Sequence, residues 1–521
     1  MKNKIFLLGA MLLTLTMTSC HKDADVVVSY AAEDYLAFGE AENSYAGKFR
    51  VFWKAMNTTY SLWDYEKECG LDWDEHYAKM LPKFEALDEP GVNVPDSVLE
   101  KLMKEMAAPL HDGHMAIQFK NHQTNKYVTV SPSTLRYSKR DHTDEAYGFK
   151  PYLATYASQF SEWKEVNTTI KGQFTYMTTT PGIGYQWAKD RYQTLRQKSN
   201  PTEADAKEIE GLKAFIEEMT KISKKGITDE TLALYNELTV RYAYLDIPYL
   251  ESIDPAFGNA GIDLKYFLTQ DGIAYLYLSG FALSPYLRDE YFANTFTNPT
   301  AHTQALAARV KEVWQSWFNS IQTLHKAGTL KGVIIDVRSN PGGLTNDGKY
   351  VLGSLLPKGD LQYGWSRMKR GVGRYDYSPM LPMNMFTMEE DHEVVDDVPV
   401  AVLANSYSVS MSEMTSLSSK RMENARLIGR RTFGGLCSLT SNADFESNYT
   451  GHIGVKGKTP VYVYLPAIAI FDMDKHALEG IGVEPDIEVG LDTEMFALKG
   501  IDAQLERALE YVRTGKLKMK N

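Results

Sequence analysis

The chain has 521 residues, of which 44% are hydrophobic and 24% charged, with a formal net charge of −11. That length exceeds what one hydrophobic core spans, so about two to four domains are expected. The composition is that of a globular protein, and the acidic balance leaves no electrostatic case for a nucleic-acid partner.

Lys2 and Lys4 precede an apolar run over residues 5–15, too short to span a bilayer as a helix. The run leads into M-T-S-C, with Cys20 directly after Ser19. A signal that ends in small residues and then cysteine resembles a bacterial lipoprotein signal. It implies cleavage before Cys20, lipidation of its sulfur and a tether to a membrane face. An ordinary secretory signal with an incidental cysteine is the alternative. Residues 1–19 are thus read as a signal and 20–44 as a tether. Cys69 and Cys437 then remain, and distant cysteines in a large chain are more often free buried thiols than a disulfide.

Residues 45–114 read as a helical domain. Phe52, Met56, Tyr60 and Trp63 recur at helical spacing on one face. Asp72 is placed to cap a helix carrying Trp73, Tyr77, Met80 and Leu81, and P-D-S at 95–97 starts another with Val98, Leu102, Met106 and Leu110 on one face. The domain closes on H-D-G-H at 111–114. Residues 115–260 read as an intervening small α+β region, with strands predicted at 128–130 and 175–180 and a charged helix over 202–240.

From 261 to 521 the pattern alternates between strand and helix. Strands are predicted at 273–278, 332–337, 400–404 and 425–429. Between them come an amphipathic helix over 303–326, through Ala307, Val310, Val313, Trp314, Trp317 and Ile321, and a Ser-rich helix with Met411, Met414, Leu417 and Met422. A last helix covers 502–512. This β-α-β succession predicts an α/β fold with a mostly parallel sheet covered by helices.

Three stretches carry chemistry. The strand at 400–404 runs into N-S-Y-S-V-S-M-S-E, where a serine can sit at a helix N-terminus beside free N–H groups able to hold an oxyanion. Ser406, Ser408, Ser410 and Ser412 all compete for that place. Each could equally be a helix cap, and Ser410 with Glu413 has the spacing of a capping box. D-G-H at 112–114 supplies a histidine, and D-V-R-S-N-P-G-G at 336–343 a glycine-rich strand end. Asp336 and Arg338 could form a structural ion pair there. His111 and His114 lack a convincing third ligand, so no metal is expected. Asp472, Asp474 and His476 read as a solvated polar loop.

S-V-S-M-S-E, with G-R-R-T-F-G-G after it and D-V-R-S-N-P-G-G before it, resembles the catalytic segment of the C-terminal processing (tail-specific) serine peptidases. So do the helical N-terminal region with W-D-E-H-Y and D-G-H, and G-I-G-V-E-P-D-I at 480–487. The resemblance covers roughly residues 45–118 and 260–515. It implies a crotonase/ClpP-like catalytic core, peptide or protein substrates and no cofactor. It assigns Ser410 as nucleophile, with Gly342 or Gly343 and the amide of Met411 as oxyanion donors. The Ser-Lys branch carries a lysine where this chain has Gly435. The chain is more similar to the branch of tricorn core protease and the interphotoreceptor retinoid-binding protein repeats, which implies His114 as base and Glu479 as its partner. Tricorn has a serine directly before its histidine; here the residue is Gly113. A non-catalytic binding lipoprotein on the same scaffold is the alternative.

Overall fold

The computed structural model describes residues 38–132, 149–167, 183–225 and 262–515, apart from 297, 360, 372, 439–451, 467, 493–494 and 497–498. Cys20, the predicted strand at 175–180 and the end of the predicted 202–240 helix lie outside the described residues.

A seven-stranded sheet forms the centre. Its order is Ile487–Glu488, Ala425–Gly429, Val400–Ala404, Gly332–Asp336, Ile273–Leu278, Asp263–Thr269 and Phe160–Asn167. The first five run parallel and the last two join antiparallel. Three of the central strands are buried at every position, as apolar segments covered on both faces must be. Helix Ala301–Lys326 covers one face through Val310, Val313, Trp317 and Ile321. Helix Ala503–Thr514 covers the other, packing Leu505, Leu509 and Val512 on Ile334, Leu403 and Ile428. Adjacent parallel strands thereby bring the turns after Asp336 and Ala404 to the same sheet edge, where open α/β sheets place their sites.

The N-terminal helices do not stand alone. Strands Ala116–Asn121 and Lys126–Val130 join Val461–Tyr464 and His452–Ile453 in an antiparallel sheet. Phe49, Phe52, Met80, Phe84, Phe119 and Val463 share one core. Residues just after 115 therefore pack with the helical region, and Phe160–Asn167 belongs to the central sheet. A third sheet holds Ile468–Phe471, Leu361–Met368 and Leu381–Met385.

Two helical readings change in detail. Helix Tyr45–Thr59 ends at an extended Tyr60, and Trp63 starts a separate helix, Trp63–Glu68, so the expected single stripe is split although all four of its residues are buried. Helix Asp96–Ala107 buries Leu99, Met103 and Met106 and leaves Val98 41% exposed. Apolar pairs at 98/99 and 102/103 offer two stripes, and packing selects the second. Asp72 caps Trp73–Glu85 as expected, accepting from Asp74 and Glu75 N–H. Cys69 is exposed and Cys437 buried, and no disulfide joins them.

Candidate active site

Side chains clasp the two turns at the sheet edge together. Asn405 Oδ1 accepts from Ser339 N–H at 2.8 Å, and Asn405 Nδ2 donates to Ser339 Oγ. Ser408 Oγ donates to Val337 O, while Ser412 Oγ and Val409 N–H both donate to Asn340 O. Ser406, Ser408 and Ser412 are buried, so of the four competing serines only Ser410 reaches the surface. Ser410 adopts φ 56° and ψ −116° at the start of helix Met411–Ser419. An ordinary N-cap residue is extended. A non-glycine residue held at positive φ is strained, and such strain concentrates at functional positions.

Glu413 sustains that strain. Its carboxylate is fully buried and accepts from Ser410 N–H at 3.1 Å, Thr432 Oγ at 2.6 Å, and Gly434 and Gly435 N–H at 2.7 Å each. Ser410 N–H also reaches Gly435 O at 3.0 Å. Glu479, equally buried, takes the next two amides of the loop, Leu436 and Cys437 N–H at 3.0 Å, and Gly113 N–H at 2.7 Å. Four consecutive N–H groups, 434–437, are thus divided between two carboxylates. Burial pushes Glu413 up to about 7 against the lowering effect of its donors, and burial likewise raises Glu479.

The D-G-H loop closes on the same segment. A Cβ on Gly113 would lie 2.6 Å from Gly435 Cα and 2.7 Å from Gly434 O, so a serine before His114 does not fit this packing. Asp112 Oδ1 accepts from His114 and Met115 N–H, which fixes the turn. Asp112, His114 and Glu479 converge, one polar atom from each lying within 4.8 Å of the others. Asp112 Oδ2 and His114 Nδ1 are buried without a hydrogen-bond partner. Burial pushes the His114 imidazole down to about 4, and burial together with the Glu479 charge raises Asp112 well above the carboxylate range. The N-terminal helices hold the loop: Tyr65 O–H donates to Glu479 O, and buried Glu66 accepts from His111 N–H and pairs with His111 Nδ1, both at 2.7 Å.

The structure brings Ser410, Met411, Gly342 and the loop at 434–437 into contact, and through Gly113 it brings His114 and Glu479 against the same loop. No hydrogen bond links Ser410 to His114 among the described residues. Gly342, at φ 93°, packs so closely that a Cβ there would sit 2.6 Å from Ser410 Cβ, and its N–H is bound to Asn340 Oδ1 at 2.8 Å. Gly343, at φ 139°, has no room for a Cβ against Phe281 O. The ion pair expected at the strand end is a buried cluster: Arg338 meets Asp336 and Asp502, and Tyr275 O–H donates to Asp336. Asp502 caps helix Ala503–Thr514, so the glycine-rich turn is anchored to the last helix.

Sequence reasoning saw Glu413 only as a capping residue. The available signal was an acidic residue inside a helix whose other positions read as buried. Asn340, Asn405 and Thr432 gave none.

Residues 273–489 match the model of peptidase family S41. This segment contains Ser410, Glu413, Glu479 and the glycine turn; His114 reaches the site from outside it. The carboxy-terminal-processing protease of Bartonella bacilliformis is 27% identical over 34% of this chain and 35% of its own length. Tricorn protease of Thermoplasma volcanium is 28% identical over 35% of this chain and 14% of its own. The chain thus spans about a third and a seventh of the length of these two relatives. A solved structure from Parabacteroides merdae aligns with 92% of this chain and 99% of its own, at 15% identity and a TM-score of 0.49.

Proposed function

We propose that this protein is a serine peptidase that cleaves peptide or protein substrates through an acyl-enzyme on Ser410. The observation that carries this reading is the backbone of Ser410: the one surface-reaching serine of its turn, at positive φ, on a helix N-terminus inside the segment matched to family S41. Its hydroxyl is a poor nucleophile near neutral pH and requires a base. His114 serves as that base and returns the proton to the leaving amine. Its depressed pKa keeps it neutral and able to accept at physiological pH. Glu479 holds the imidazole in place, directly or through a bridging group. Because the Gly342 N–H is already bound, Gly343 and Met411 supply the oxyanion donors.

Gly435 stands where the lysine of the Ser-Lys branch would be, which favours a Ser-His-Glu arrangement. Carboxy-terminal processing is the finer reading, supported by the Bartonella relative. Anchoring through a lipidated Cys20 is supported by the sequence alone, and no described helix is long and apolar enough to cross a membrane.

The test is a fluorophosphonate probe with intact-mass and peptide mapping on wild type, Ser410→Ala and His114→Ala. One adduct on Ser410, slowed at least about 100-fold without His114, is expected. Folded wild type that takes no adduct, or takes it on another serine, overturns the proposal and favours the binding-protein alternative.

A further inference from the structure

We infer that Asp112, His114 and Glu479 form a binding site for a zinc-type divalent cation, and that such a cation competes with the peptidase chemistry for His114. The competition rests on the function proposed above; the binding does not.

Each of the three residues offers a polar atom within 4.8 Å of the other two. Two of these side chains end in atoms that the fold leaves unused, since Asp112 Oδ2 and His114 Nδ1 are buried with no hydrogen-bond partner. The cost of burying such atoms implies a ligand that satisfies both. Their orientation is already set. Asp112 is fixed through its other oxygen by two backbone amides, and Glu479 by three. Backbone donors of this kind are how outer-shell contacts aim metal ligands.

Charge supports the same conclusion. Asp112, Glu413 and Glu479 are all fully buried, and no lysine or arginine forms an ion pair with any of them among the described residues. One dication would offset this excess. The imidazole nitrogen among the three ligands favours a zinc-type ion with an open fourth position, whereas calcium and magnesium prefer oxygen ligands, water included. Bonds of about 2.0–2.1 Å place tetrahedral ligands about 3.4 Å apart, so the side chains close by roughly 1.4 Å at most. The exposed group of Asp472, Asp474 and His476 shows no comparable buried, unused atom.

Chemistry dictates the consequence. A neutral imidazole carries one N–H. With Nδ1 bound to the cation, that hydrogen sits on Nε2, which then donates and cannot accept the Ser410 proton. The cation therefore inhibits, and a chelator restores activity.

The experiment titrates zinc chloride into chelator-stripped full-length protein by calorimetry, using wild type, Ser410→Ala, Asp112→Asn and His114→Ala. Fluorophosphonate labelling of wild type is followed with zinc and after chelation. One zinc per chain is expected in wild type and Ser410→Ala, with affinity lower by at least about 10-fold in the other two variants. Labelling should slow with zinc and recover after chelation. Ser410→Ala that takes up no zinc overturns the site, as does unchanged affinity in His114→Ala, which also reads the site should Asp112→Asn not fold. If wild type never labels, the peptidase reading fails while the Ser410→Ala titration still decides the cation site. Zinc that binds without slowing the labelling overturns the competition.

Discussion

Two buried charged clusters flank the proposed nucleophile and are built on opposite principles. Around Arg338, a guanidinium faces the carboxylates of Asp336 and Asp502, so acid meets base directly. Around the loop at 434–437, Asp112, Glu413 and Glu479 face backbone N–H groups, and no cationic side chain joins them among the described residues. A carboxylate paired with the planar fork of an arginine is fixed in direction, and such a cluster holds geometry. A carboxylate held only by amide dipoles is open to a proton or a cation, because its surroundings do not hold it in one charge state. The first cluster ties the glycine turn to the last helix. The second ties Ser410, Gly435 and the D-G-H loop together where charge would have to move in the proposed acyl transfer.

The strongest way to break this comparison is Arg338→Ala. It strands two carboxylates in the interior, and an uncompensated buried charge costs about 3–5 kcal/mol. Urea unfolding should show that loss; a loss under about 1 kcal/mol would mean that water reaches the cluster and that it is not the rigid partner described here.

Glu413→Gln is the next largest. The amide places N–H groups against the N–H groups of Ser410, Gly434 or Gly435, so donor faces donor. About 1–3 kcal/mol of stability should go, as for a buried donor left unsatisfied. Fluorophosphonate labelling of Ser410 should fall about 100-fold, roughly 2.7 kcal/mol of barrier, because the strained elbow relaxes. Labelling at the wild-type rate in a folded variant would show that the helix alone sustains Ser410.

How much of this was legible follows from what sequence patterns report. Periodicity is local, so the buried strands at 273–278, 332–336 and 400–404 and the turns after them were readable. The phase of helix Asp96–Ala107 was not, because two apolar stripes compete there and tertiary packing chooses. Nor was the sheet that pairs Ala116–Asn121 with Val461–Tyr464, whose partners are remote in sequence. The site shows the same division. Ser410 and the glycine pair stand in short motifs. The contact of Glu479 with Gly113 crosses 366 residues, and only the family resemblance linked that glutamate to His114. Glu413 has capping-box spacing, but that spacing accounts for one of its four donors; Thr432, Gly434 and Gly435 arrive from a distant loop.

The last test is in pH dependence, and it probes two groups of the second cluster. Glu413 is raised from 4.5 to about 7, so between those values the folded state holds a proton that the unfolded state has lost, and stability falls as pH rises. His114 is lowered from 6.5 to about 4, so across that window the unfolded state holds the extra proton, and stability falls as pH drops. The two slopes oppose each other between about pH 4.5 and 6.5, on top of whatever Asp112 and Glu479, both raised, contribute. Relative to wild type, His114→Gln should therefore make stability fall more steeply with pH between about 4 and 6.5, and Glu413→Gln should make it fall less steeply or rise between about 4.5 and 7. Each change should be about 3 kcal/mol across its window, since one pKa unit corresponds to about 1.4 kcal/mol and each group moves by about 2.5. Urea midpoints measured at half-unit pH steps resolve this. If both variants keep the wild-type slope, these groups titrate alike in the folded and unfolded chain, and the two clusters differ in geometry alone.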